Sequence, residues 1–80
     1  MKQFNYHIDP GHGWVQVSHY EMKKLGVDYS KISPYSFQNE TYYFLEEDCD
    51  AKLFWDAHLS HYGTKPELKE VYHDESFDKR

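Results

Sequence analysis

A single cysteine, Cys49, in a chain of 80 residues removes the support on which many domains of this size rely. It has no partner for an internal disulfide, whereas small exported domains that cannot build a large core usually carry several such bridges. The chain must therefore hold itself together by burying apolar surface, in one core and one domain spanning residues 1–80. Hydrophobic residues make up only 39% of it, but 19% of the chain is aromatic. A buried ring removes roughly 150–250 Å² from water, so the interior has to be built from rings. Eight Tyr are too many to hide, which leaves several half-exposed on surfaces of the kind that bind partners.

The unpaired thiol fits a reducing, cytoplasmic compartment. Residues 1–13 lack the apolar run of about 7–15 residues that marks a secretion signal, and no segment approaches the roughly 20 apolar residues of a membrane span. No membrane partner is expected. Fourteen acidic against nine basic residues give a net charge of −5. That charge opposes direct binding to DNA or RNA phosphate and favours basic or neutral partners.

Along the chain, the spacing predicts an α+β fold: a small antiparallel sheet of four to five strands, from two hairpins, with two helices in the order ββαββαβ. Phe4, Tyr6 and Ile8 alternate with Asn5 and His7 as in a strand, Asp9-Pro10-Gly11-His12-Gly13 makes a turn, and Trp14–Val17 returns. Ser18-His19-Tyr20-Glu21 is a capping box, opening a short helix that ends at Gly26 with Tyr20, Leu25 and Met22 inward. Ile32 is expected beneath the sheet. Residues 35–38 and 41–45 flank Asn39-Glu40 as a second hairpin, with Phe37 opposite Tyr42 and Tyr35 opposite Phe44, making one ring-covered face the expected core. Asp48 is the expected cap of a helix over residues 51–62 with Gly63 as its stop, resting on a stripe of Cys49, Leu53, Phe54, Ala57 and His61. Leu68–His73 reads as a last edge strand, and Asp74–Arg80 as a frayed, charged tail.

The stretches His7–Val17 (HIDPGHGWVQV), Lys31–Ser36 (KISPYS) and Phe44–Ala51 (FLEEDCDA) resemble a set of small uncharacterised proteins from phages, prophages and plasmids. The resemblance covers about Tyr6 to Phe54, with specific order and spacing. It implies a mobile-genetic-element origin and a shared fold, and it brings no catalytic residue with it. The chain after Gly63 departs from the pattern.

Three groups of residues have chemistry to offer. His7, Asp9 and His12 combine imidazole and carboxylate at a turn, a set able to hold a divalent metal such as Zn²⁺, although a fourth ligand is missing and turn formation alone explains them. Divalent metal is the only cofactor the sequence suggests. Glu46, Glu47, Asp48 and Asp50 surround Cys49 at a helix start. They suit an anionic binding surface, while capping and helix-dipole matching explain the same acids without one, and their charge raises a thiol's pKa rather than activating it. Trp14, Tyr43 and Trp55 are candidate anchors for a partner, Tyr43 because it lies on the opposite face from Phe37 and Tyr42, and Trp55 because it falls off the helix stripe; core packing is the plainer role. No phosphate loop, Cys-x-x-Cys, Gly-x-Ser-x-Gly or His-Glu-x-x-His occurs, so the reading leans away from an enzyme.

These features point to an accessory protein that binds and inhibits a host protein, one that handles nucleic acid, in the manner of anti-CRISPR or anti-restriction inhibitors. Two other classes stay open: a small-molecule, nucleotide- or metal-binding module built on the His7 turn and the Asp48 helix end, and a self-associating structural protein. Monomer and homodimer are equally compatible with the sequence.

Overall fold

The computed structural model describes residues 3–77 and shows the expected α+β order. Strand β1 (Gln3–Ile8) and β2 (Gly13–Ser18) lead into helix α1 (His19–Leu25) and a single 3-10 turn over Tyr29–Lys31. Then come β3 (Phe37–Gln38), β4 (Tyr42–Glu46), helix α2 (Ala51–Tyr62) and β5 (Glu67–Tyr72). The sheet has five strands in the order β3-β4-β2-β1-β5. The pairings among β1–β4 are antiparallel as expected, but β5 runs parallel to β1, with Phe4 beside Leu68 and His7 beside Val71. The sheet is therefore mixed. Because α2 and β5 follow β4 at the other side of the sheet, the chain crosses the helix-covered face and reaches β1 from the same direction in which β1 runs.

Local chemistry sets the element ends. Ser18 Oγ accepts from Glu21 N–H at 3.0 Å, the first half of the capping box, and Gly26 closes α1 in the left-handed region at φ 71°. Glu21 is buried, and its Oε2 accepts from Tyr62 Oη of α2 at 2.7 Å, so this residue of the capping box ties the two helices together. Met22, not Tyr20, points inward; Tyr20 is 74% exposed.

Both helices lie on one face of the sheet, over a core of Phe4, Val15, Val17, Met22, Leu45 and Phe54, with Leu25, Ile32 and Leu68 closing its edges. Phe4 meets Phe54 edge to face at 4.8 Å. Burying a side chain such as Phe54 contributes about 1.5–3 kcal/mol. The stripe of α2 is centred on Phe54 and His58, one step away from the expected Cys49–His61 line. Cys49 and His61 are exposed, because α2 starts at Ala51 and presents position 54 and its next-turn neighbour 58 to β1. His58 is held in the core by its Nδ1, 2.7 Å from Thr64 O just past the helix end.

The second hairpin forms, with its pairing two residues from the expected register. Phe37 opposes Phe44, and Gln38 opposes Tyr43. Asn39 sets the connection through its side chain, whose Oδ1 accepts from Thr41 and Tyr42 N–H, without entering the left-handed region. Tyr35 falls off the strand end into solvent. The ring-bearing side of this hairpin faces away from the helices, so the expected core face is the back of the sheet. Tyr43, on the other side, packs half-buried against the helix-side core.

Candidate functional site

The turn between β1 and β2 is organised by Asp9. Its Oδ1 accepts from Gly11 N–H at 2.9 Å and His12 N–H at 2.7 Å, and its Oδ2 accepts from Phe77 N–H at 2.9 Å. These donors, Phe77 foremost, hold the carboxyl below its ordinary range. Neither Gly11 nor Gly13 adopts positive φ, so the turn rests on an Asx side chain and not on glycine freedom. Gly13 is required for another reason: a Cβ there would lie 2.6 Å from Tyr6 Oη.

His7, Asp9 and His12 do not converge. His7 is buried on the back of the sheet, with Nε2 2.6 Å from Gln16 Oε1 and Nδ1 3.0 Å from His73 Nε2. Since Gln16 offers an oxygen, His7 Nε2 carries the hydrogen and Nδ1 accepts from His73. Desolvation lowers the pKa of His7, and His73 beside it adds to the effect while the Gln16 bond opposes it. Asp9 is engaged by backbone donors, and His12 is exposed. The three belong to a hydrogen-bonded turn and a buried pair, not to one ligand set. The cavity beside this turn, about 250 Å³, is walled by Asp74, Glu75 and Ser76. Asp48 takes no part in it.

The acidic segment divides into two kinds of residue. Asp50 is 1% exposed and accepts from Ser33 N–H at 2.9 Å, Ser33 Oγ at 2.7 Å and Ser36 Oγ, while Ser36 Oγ in turn accepts from Glu46 N–H. Glu46 is also buried; its Oε1 accepts from Asp48 and Cys49 N–H, so Glu46 satisfies the turn before α2 that Asp48 was expected to cap. Asp50 occupies the N-cap position and makes no cap bond, because its oxygens are turned to the two serines. Glu47 and Asp48 remain exposed. The Cys49 thiol is pushed up by partial desolvation and by Glu46 and Asp50. Among the described residues, Glu46, Glu47 and Asp48 are the one trio whose ligand atoms lie within 4.8 Å of one another, yet one Glu46 oxygen already serves two amides.

The exposed acids gather around tyrosines. Tyr6 Oη donates to Glu47, and its phenol is raised well above the ordinary value by burial, by Glu47, and by the charges of Asp48 and Glu70. Glu70 in turn accepts from Tyr72 Oη at 2.9 Å, and Tyr72 is 72% exposed. Glu47 and Asp48 come from the turn before α2, and Glu70 and Tyr72 from β5, so this patch exists only where β1 brings the two segments together.

Of the anchors read from the sequence, Trp14 is buried and Tyr43 and Trp55 are half-buried, with Tyr43 packed on the core. Sequence reasoning missed Tyr6, Glu70, Tyr72 and Phe77. The alternation of β5 was the available signal for Glu70 and Tyr72, since both fall on the Leu68 side of that strand.

A scan against family models, a search of curated proteins and a search of solved structures each returned no match. No helix among the described residues is long and apolar enough to cross a membrane.

Proposed function

We propose that this is an accessory protein of a mobile element that inhibits a host factor by occupying a basic, nucleic-acid-handling surface, as anti-restriction and anti-CRISPR inhibitors do. The observation that supports it is the patch of Glu47, Asp48 and Glu70 around Tyr6 and Tyr72. Carboxylates from two distant segments, beside one strongly exposed ring, form the acidic, tyrosine-bearing surface that pairs with arginine and lysine. The net charge of −5 directs such a surface to cationic partners. His7 and Asp9 of the metal set, and Glu46 and Asp50 of the acidic segment, hold structural hydrogen bonds.

The test is affinity capture from host cells at about 0.1 M and about 0.5 M salt, with wild type and a Glu47→Lys, Glu70→Lys double variant. Surface charges are largely screened over this range. A nucleic-acid-binding host protein should be retained by wild type at low salt, released at high salt, and lost by the variant. Equal capture by both proteins, or capture indifferent to salt, would remove the proposal.

A further inference from the structure

The back of the sheet is closed at one end by Phe77, whose ring stacks on His7 at 4.2 Å in an aromatic trough shared with Trp14, Phe37 and Phe44. The hydrogen-bonding capacity that the sheet leaves unused lies at its edges. β3 offers an edge of only two residues, but β5 offers six, Glu67–Tyr72, in unbroken parallel register with β1. A strand turns the N–H and C=O of alternate residues to one neighbour and those of the others away from it. His73 N–H donates to Ile8 O at 2.8 Å, so Val71, Lys69 and Glu67 also face β1, while Leu68, Glu70 and Tyr72 face outward. Among the described residues none pairs with the backbone of these three, which leaves three N–H donors and three C=O acceptors in a row.

Such an edge is a template for another strand, and proteins commonly close it with a proline, a bulge or a very short strand. β5 has none of these. It has charge instead, and the placement of that charge selects the occupant. In two-fold antiparallel pairing with a second copy, the outward residues must bond one another, and the two registers of longest overlap set Glu70 against Glu70 or Lys69 against Lys69. Like charges directly opposite oppose pairing, and each copy brings a net charge of −5. A cationic strand meets the reverse situation. Glu70 stands beside Tyr6 in the β1–β5 register, and Tyr6 Oη donates to Glu47, so these carboxylates share the helix-side rim of the edge with the exposed Tyr72 ring.

We propose that the partner adds an extended cationic strand to the free edge of β5, its backbone bonding Leu68, Glu70 and Tyr72 and its arginine or lysine side chains facing Glu70 and the Tyr72 ring. This rests on the reading of the tyrosine and carboxylate patch as the surface that meets a basic partner, and it names the form in which that partner arrives. The carboxylates select the charge, and the main chain of β5 sets the alignment. Lys69 and Val71 on the opposite face favour uncharged residues there, so basic and uncharged positions alternate along the incoming strand.

The probe is a blocked hexapeptide alternating arginine and threonine, titrated into isotope-labelled full-length protein. At saturation the amides of Leu68, Glu70 and Tyr72 should shift and exchange at least about tenfold more slowly, while those of Glu67, Lys69 and Val71, already bonded to β1, should change less. The same peptide N-methylated along its backbone keeps the charge but cannot donate to the edge, and should bind about tenfold or more weakly. A peptide with glutamate in place of arginine should not bind. Equal binding of the parent and N-methylated peptides would overturn the strand and leave the patch a binder of basic groups. So would salt-dependent capture of a host protein together with no effect of millimolar peptide on the three edge amides. A doubled native mass of the protein, with those amides already protected, would show that a second copy holds the edge and end the proposal. Failure of peptide binding and of capture together would remove both this inference and the reading on which it rests.

Discussion

Replacing Asp50 is the most informative perturbation of this fold, because one buried carboxylate joins three segments that local structure does not connect. It takes the Ser33 amide and hydroxyl and the Ser36 hydroxyl, and Ser36 passes the connection to the Glu46 amide of β4. In Asp50→Ala the hydroxyls can turn to other acceptors, but the Ser33 N–H loses its partner, at about 1–3 kcal/mol, and the charge-assisted bonds to the hydroxyls are lost as well. The sum is about 3–4 kcal/mol. A domain of 80 residues has about 4–12 kcal/mol in total, so the variant should lose between about a quarter and nearly all of its stability. Asp50→Asn keeps one oxygen for the Ser33 amide and offers an NH₂ to a reversed hydroxyl, and should cost only about 1 kcal/mol. Urea unfolding followed by circular dichroism separates the two. With a slope of about 1 kcal/mol per molar for a domain this small, the midpoint falls by about 3 M for Ala and about 1 M for Asn. Equal losses for the two variants, or an Ala variant within about 1 kcal/mol of wild type, would refute the idea that hydrogen bonding to Asp50 holds residues 33–36 on the start of α2.

Four further outcomes are expected. Gly13→Ala should lose about 1–3 kcal/mol of unfolding free energy as the Tyr6 ring is forced aside. Phe54→Ala should cost about 3–5 kcal/mol by chemical denaturation, whereas Tyr20→Ser should stay within about 0.5 kcal/mol because its ring lies in solvent. Burial lowers the pKa of His7 below its ordinary 6.5, so near and below that value the unfolded chain binds the proton more readily than the folded one. The contribution of His7 is therefore complete above pH 6.5 and is lost as pH falls from there towards its lowered folded value. Stability measured from pH 7.5 down to 5 should decline, and a folded His7→Gln variant should show a shallower decline over the same interval.

The amino-acid sequence by itself determined the α+β class, the order of elements and most of their ends. Ser18, Gly26 and Gly63 act on neighbours within four residues, and strand alternation needs only the chain's own pleat, so these signals survive without knowledge of the rest of the molecule. Tertiary structure decided which of two faces became the core and which polar groups were consumed inside it. Phe37 and Phe44 do pair, but the helices cover the other side of the sheet, a choice made by Val15, Val17 and Leu45 together with Phe54. Glu21 and Asp50 look like surface acids in sequence, yet each is buried with a donor on a segment that only the folded chain brings to it. Phe77 shows the same limit most plainly. In a charged tail it has no periodic neighbours to mark it, and the aromatic trough that receives it is assembled from four strands. Local hydrogen bonding and periodicity are short-range and legible in one dimension, whereas burial is a property of the whole surface, and the whole surface does not exist until the chain has closed on itself.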